Sequence, residues 1–258
     1  MEIITSKNNP AVTAAAKLAD KKYREREGKF AFEGIKLFSE ALSAGVRFSR
    51  VFVTEEAYER YAERLSVLEN GVLTVVSDAV YEKLSFENAP QGVFSVAEYF
   101  SPCVKKDTSF VLLLDGVADP GNFGAVLRSA EAFGVDTVYT GKNGADLYNP
   151  KTIRACMGSV FRMDVRRSES LVCDIENLQK EGFRVYATAL DKRSRDIRDV
   201  DFSGKTAFVI GNEGHGVSAE VLSACDGSVI IPMREGPESL NAAVASSVVM
   251  WEAARKRL

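Results

Sequence analysis

The run FVLLLDGV (110–117) carries five consecutive apolar residues before its first charge. A strand apolar on both faces needs cover on both, which points to a parallel sheet joined by helical crossovers. The segments that follow keep this pattern. Strands are predicted at DTVYTG (136–141), FRVYATAL (183–190), KTAFVIGN (205–212) and GSVIIPM (227–233). Helices are predicted at Asn122–Phe133, Pro150–Gly158, Ser168–Glu181, Ser218–Ala224 and Ser239–Lys256. Strand alternating with helix is the signature of an α/β fold.

The 258 residues amount to one large domain or two modest ones at about 150 residues each. Upstream of the apolar run a smaller α/β unit is legible. Its strands are predicted at KFAFEG (29–34), FSRVFVT (48–54), LTVVS (73–77) and QGVFSVAEYF (91–100), with helices at Gly34–Ala44 and Glu55–Glu69. The polar, aperiodic SPCVKKDTS (101–109) reads as a linker. The expected division is therefore 1–100, a linker at 101–109, and 110–258.

Composition narrows the chemistry. With one histidine, His215, no site can combine several, so His-rich zinc centres and HExxH hydrolases are excluded. Cys103, Cys156, Cys173 and Cys225 are scattered without a CxxC pair, as in a reduced cytosolic protein. The N-terminus lacks the apolar core of a signal peptide, and no run approaches the ~20 apolar residues of a membrane span. A soluble, cytoplasmic, metal-free protein is expected.

In open parallel sheets, ligands gather at the carboxyl ends of strands, and three predicted strand ends are unusual. In DGVADPGNFGAVLRSAEAFG (115–134), Pro120 and Gly121 make a turn, Asn122 is suited to cap the helix, and Arg128 follows one and a half turns later. FVIGNEGHGVS (208–218) places Gly211, Gly214 and Gly216 between a strand and a helix, where glycines let backbone approach a ligand. In IIPMREGPESLNAAVASSVV (230–249), Ser239 and Asn241 open the last helix. Each feature alone suits a turn, a cap or a solvated surface. Three of them on one sheet point to an assembled site. Neither glycine cluster matches GxGxxG, and there is no GxxxxGK[ST] phosphate loop.

These segments, DPGNFGAVLRSA (119–130), VIGNEGHGVS (209–218) and IPMREGPESLNAAVA (231–245), resemble the three signature motifs of the SpoU/TrmH family of RNA 2′-O-ribose methyltransferases, in the SPOUT superfamily. KTIRACMGSVFRMDV (151–165) resembles the family's connecting segment, and Asp119 stands where the first motif commonly has Asn. The resemblance covers about residues 110–257. Residues 1–100 are similar to the small α/β substrate-binding domain of rRNA-directed members.

The resemblance implies a C-terminal parallel-sheet domain with a deep trefoil knot, a homodimer, and S-adenosylmethionine as cofactor, converted to S-adenosylhomocysteine. By position, Thr188, Ala189, Leu190, Gly211, Asn212, Gly214, Ile231, Met233 and Leu240 would hold the cofactor. Asn122, Arg128, Glu213, Ser239 and Asn241 match the family's catalytic positions, and His215 falls where the motif is expected to vary. Arg128 matches the family's proposed general base. A guanidinium, which keeps its proton at neutral pH, is better suited to hold the target's phosphate and place the 2′-hydroxyl. The small residues Ala242, Ala243, Ala245 and Ser246 suit close packing between two copies, and equally suit packing against the chain's own sheet.

The net charge of −3 conceals an asymmetry. Residues 1–50 carry ten Lys/Arg and six Asp/Glu, whereas residues 51–100 carry three and nine. Within KLADKKYREREGK (17–29), the cations Lys21, Lys22, Arg24 and Arg26 are the candidate RNA contacts, set against the solvated helix face that such runs usually form. Ribosomal RNA is the expected substrate. The alternatives are a tRNA methyltransferase, a non-catalytic RNA-binding or assembly protein of the same fold, and a nucleotide-dependent enzyme.

Overall fold

The computed structural model describes residues 3–100, 104–105, 107–191, 193–234 and 239–255. Cys103, part of the expected linker, positions 235–238 of the third motif and the end of the last predicted helix at Lys256 lie outside the described residues.

The chain divides into two units, Met1–Ser101 with Asp146–Phe161, and Pro102–Ala145 with Arg162–Leu258. The first unit opens with β1 (Ile3–Ile4), α1 (Pro10–Ala16) and α2 (Lys21–Glu27). It continues through β2 (Lys29–Glu33), α3 (Ile35–Ser43), β3 (Phe48–Val53), α4 (Glu55–Arg60), α5 (Ala62–Leu65), β4 (Leu73–Val76), α6 (Asp78–Leu84) and β5 (Val93–Glu98). Asp20 caps α2 by accepting the Lys22 N–H at 2.9 Å, and Gly28 ends it at φ +61°, a left-handed turn that glycine takes without strain. The sheet runs β1-β4-β3-β5-β2, with β5 antiparallel to both neighbours and the other pairs parallel. One face is covered by Val12, Leu18, Val80 and Leu84, the other by Ile35, Phe38 and Leu65. The helix expected over Glu55–Glu69 is broken at Tyr61, whose φ of −118° leaves the helical range.

The second unit begins with β6 (Phe110–Asp115), α7 (Pro120–Ala132) and β7 (Thr137–Thr140). The chain then makes an excursion through α8 (Pro150–Cys156) before β8 (Asp164–Arg167), α9 (Leu171–Lys180), β9 (Arg184–Thr188), β10 (Arg195–Asp196), β11 (Thr206–Gly211), α10 (Ala219–Ala224), β12 (Gly227–Ile230) and α11 (Ala242–Ala254). Its sheet is parallel throughout, in the order β10-β12-β9-β11-β6-β7-β8. Phe110 to Leu114 are at most 1% exposed, as the double-sided apolar run requires. Each such buried side chain contributes about 1.5–3 kcal/mol. No helix among the described residues is long and apolar enough to cross a membrane.

The excursion corrects the expected division, which assigned 146–161 to the C-terminal unit. Asp146 accepts a 2.5 Å hydrogen bond from the Arg24 guanidinium, and Tyr148 stacks on Tyr99 with ring centroids 3.9 Å apart. Phe161 packs against Phe30 and Phe32 of β2. These contacts bury Phe161 and half-bury Tyr148 within the first unit.

The last helix decides between two packing readings for most of its small residues. Ala242, Ala243 and Ser246 are buried within the chain, where α11 packs on α7, and the Ser247 hydroxyl donates to that of Ser129 at 2.9 Å. Ala242, Ala243 and Ser246 therefore serve the chain's own packing, while Ala245 is half-buried.

Candidate active site

The three unusual strand ends converge at the carboxyl edge of the parallel sheet. Asp119 opens α7, its carboxylate accepting the Asn122 N–H at 2.7 Å. The cap is thus Asp119 rather than Asn122, which corrects the sequence reading. The Asn122 side chain is left to bridge the other two motifs. Its Nδ2 donates to Glu213 Oε1 at 2.9 Å, and its Oδ1 accepts from Asn241 Nδ2 at 3.0 Å. Asn241 in turn caps α11, its Oδ1 accepting the N–H groups of Ala243 and Val244. A polar chain therefore runs from one helix start through another to an exposed carboxylate.

The second motif is a tight loop. Asn212 and Gly216 exchange backbone hydrogen bonds at 3.0 and 2.9 Å, and Ser218 N–H donates to Asp115 at 2.8 Å. Closure demands glycine at position 211, where a Cβ would meet the Gly216 carbonyl carbon at 2.0 Å and the Val217 nitrogen at 2.2 Å. Gly211 is therefore required by the loop's own backbone. The Asn212 amide is also spent on structure, donating to the Gly116 carbonyl at 2.8 Å and accepting from the Gly214 N–H at 2.8 Å.

Beside this loop lies a cavity of about 640 Å³. Of the residues singled out from sequence, Thr188, Ala189, Leu190, Gly211, Asn212, Glu213, Gly214, Ile231, Met233, Ser239 and Leu240 all line it. The Thr188 hydroxyl is turned to the sheet, donating to the Val209 carbonyl at 3.0 Å. Leu190, Met233 and Leu240 are large apolar side chains left exposed at its walls, the first by 66%. Apolar surface so placed suits cover by a ligand. Asp191 and His215, absent from the candidate set, also line the cavity. Nothing in sequence spacing marked Asp191; His215 sits inside the second motif and was legible only as the sole histidine.

Arg128 does not line the cavity. It projects from α7 as an exposed guanidinium, and no hydrogen bond or ion pair engages it among the described residues.

The basic stretch of the first unit divides. Lys21, Lys22 and Arg26 are exposed, Lys21 beside Glu25 at 3.7 Å and Arg26 on Glu27 at 2.8 Å. Arg24 is only 1% exposed and donates to the carbonyls of Leu18 and Ala19 as well as to Asp146. It cannot reach an RNA phosphate, which overturns its place among the RNA contacts. Among the described residues, no cluster of three or more His, Cys, Asp or Glu could hold a metal ion.

The cavity has the size of a small-ligand site, apolar walls and a polar rim. Ile210, Val217 and Leu222 supply apolar surface, while Asp191, Glu213 and His215 supply polar and charged groups. This donor set fits S-adenosylmethionine, which has a nucleoside at one end and an amino acid at the other.

Comparison with known proteins agrees. The profile of the SpoU rRNA Methylase family matches residues 109–251, and that of the MRM3-like substrate binding domain matches residues 9–95. The chain is 34% identical over 254 residues to the 23S rRNA (guanosine(2553)-2′-O)-methyltransferase RlmP of Bacillus subtilis, covering 97% of this chain and 98% of that one. It is 30% identical over 265 residues to a 23S rRNA (uridine(2479)-2′-O)-methyltransferase of Streptomyces viridochromogenes, covering 99% and 92%. The AdoMet-bound crystal structure of an rRNA methyltransferase from Sinorhizobium meliloti superposes with a TM-score of 0.87 at 28% identity, covering 100% of this chain and 98% of that one. Family profile, full-length relatives and site geometry agree: the chain belongs to the SpoU rRNA methylase family.

Proposed function

We propose that this protein transfers a methyl group from S-adenosylmethionine to a ribose 2′-hydroxyl of ribosomal RNA. The observation that carries the reading is the polar chain Glu213–Asn122–Asn241 beside the 640 Å³ cavity. When bound, the cofactor supplies a methyl group already activated by a positively charged sulfur. The protein therefore has mainly to orient the nucleophile and let one proton leave. Asn122 fixes the Glu213 carboxylate, and Asn241 fixes Asn122 while holding the start of α11. Ser239, on the cavity wall, is assigned with them to orienting the reacting groups. Arg128, exposed and unpaired among the described residues, is assigned to the target's phosphate, where it places the 2′-hydroxyl and stabilises charge growing on its oxygen.

The cofactor is assigned to Thr188, Ala189, Leu190, Gly211, Asn212, Gly214, Ile231, Met233 and Leu240, with Gly211 and Asn212 shaping the loop as well. The 1–100 region with its 146–161 excursion is the proposed substrate-binding unit, and exposed Lys21, Lys22 and Arg26 remain its candidate phosphate contacts. The trefoil knot is proposed for the C-terminal unit, where α11 returns to pack on β11 and α7.

Val244, Val248 and Trp251 expose one apolar stripe of α11 by 49%, 37% and 51%, which supports a homodimer formed over that helix. The setting that goes with an rRNA substrate is the cytoplasm.

Incubating the purified protein with tritiated S-adenosylmethionine and ribosomal RNA is expected to label RNA at an alkali-resistant 2′-O-methyl nucleotide. Asn122→Ala is expected to lower that labelling at least about tenfold, the cost of losing hydrogen bonds to a charged group. Labelling unaffected by Asn122→Ala would defeat the site assignment. Light scattering is expected to give twice the 28.2 kDa of one chain.

A further inference from the structure

The first unit holds a second cavity, of about 510 Å³, which the methyltransfer site does not use. It lies where α1 and α2 leave part of the sheet face uncovered. Phe52 of β3 and Val96 of β5 contribute apolar surface to it. Among the described residues, four cations line it, Lys17, Arg26, Lys29 and Arg50, against one carboxylate, Glu27. That carboxylate is already engaged by Arg26 at 2.8 Å, and Glu98, next to Lys29 in the strand register, pairs with Arg47 at 3.6 Å.

Arg50 and Lys29 are half-buried, and neither side chain has a hydrogen bond or ion pair among the described residues. A partly desolvated cation without a counter-charge is unfavourable unless an anion is supplied from outside. Tyr23 adds an aromatic surface. Its ring centroid lies 5.3 Å from Lys17 Nζ and 4.8 Å from Arg26 Cζ, so two further cations are gathered at one wall.

We propose that this cavity binds a single-stranded RNA segment. Arg50 and Lys29 take phosphodiester oxygens, and the Tyr23–Arg26 pair offers a flat surface to a base. Basic grooves with aromatic faces are how single strands are held. A concave pocket of nucleotide size admits an unpaired nucleotide, whereas duplex phosphates lie on a convex surface. The choice of RNA as the polymer rests on the function proposed above; the site itself is read from the cavity.

The test is fluorescence anisotropy on the full chain with a labelled twelve-nucleotide single-stranded RNA. The same-length duplex and uridine monophosphate serve as competitors. Lys29→Gln with Arg50→Gln is expected to weaken binding at least about tenfold and to flatten the salt dependence by about 1.4 log units per decade, for two lost contacts. Lys36→Gln with Arg64→Gln, two exposed cations away from the cavity, controls for net charge. Arg50→Lys, which keeps the charge, is expected to keep most of the affinity and guards against a folding defect.

Equal losses in the cavity and control variants would overturn the proposal. So would duplex competing as well as the single strand, or uridine monophosphate competing as well as the oligomer. An Arg50→Lys loss as large as that of the Lys29→Gln with Arg50→Gln variant would overturn it too. Methyl transfer to ribosomal RNA is measured separately. Its absence, with the binding results as expected, would defeat the proposed function and leave the cavity assignment standing.

Discussion

The two units put the same guanidinium to opposite uses. In the first, Arg24 sits in a densely charged stretch yet turns inward, saturating two backbone carbonyls and one carboxylate. In the second, Arg128 lies on a mostly apolar helix yet points outward with no partner among the described residues. Local charge density therefore predicts neither burial nor role. What decides is whether the fold brings an acceptor to the side chain: Asp146 arrives beside Arg24 from 122 residues away.

This contrast can be broken most forcefully at Arg24. Arg24→Ala leaves two carbonyls and one oxygen of the largely buried Asp146 carboxylate without their donor. It is expected to cost about 3–5 kcal/mol, read as a lower midpoint in urea unfolding. A loss below about 1 kcal/mol would mean that Arg24 does no more than a surface cation. The mirror experiment is Arg128→Ala. Methyl transfer is expected to fall at least about 100-fold, near 3 kcal/mol of transition-state stabilisation. Cofactor affinity by calorimetry and the urea midpoint should stay within error. If affinity for the cofactor falls in step with turnover, Arg128 belongs to the cofactor site after all.

The contrast between inward Arg24 and outward Arg128 is sharpened by a third variant, at a partly buried carboxylate of the second unit. Asp136 accepts from the Ser109 and Phe110 N–H groups at 2.9 and 3.0 Å and from Lys105 Nζ at 3.2 Å. Burial raises its pKa, but these hydrogen bonds and the lysine outweigh it and hold the carboxyl below its ordinary 3.8. A carboxyl lowered on folding stabilises above its unfolded pKa. That contribution is lost as pH falls from about 4 through the lowered value. Asp136→Asn is expected to cost about 1–2 kcal/mol at pH 7 and progressively less at pH 3 and below. A pH-independent difference would contradict the mechanism.

The sequence carried the parallel sheet because its evidence is local. Phe110 to Leu114 are apolar in succession, and the strands after them repeat the pattern. The edge strand β8 was invisible for the converse reason. Its residues Asp164, Arg166 and Arg167 are polar, and buried Asp164 is satisfied by Arg166 and by the Thr137 hydroxyl on neighbouring β7. The cavity-lining candidates were legible through their motifs, and the geometry gathered them. Asn122 is legible as a catalytic position, and only its capping task differs in the structure. From sequence alone Asp119 and Asn122 are equally good caps, and the backbone that selects Asp119 is settled only in three dimensions.

The excursion of residues 146–161 into the first unit has a consequence for how the chain comes into being. Synthesis proceeds from the N-terminus, and domains ordinarily complete themselves as they emerge. Here the first hundred residues leave the ribosome with the Arg24 site lacking its acid, and with Phe30 and Phe32 lacking the aromatic cover of Phe161. By the time Asp146 and Phe161 arrive, β6, α7 and β7 are already out. The first unit is thus completed only after the opening strands and helix of the second have emerged, though still ahead of that unit's remaining residues 162–258.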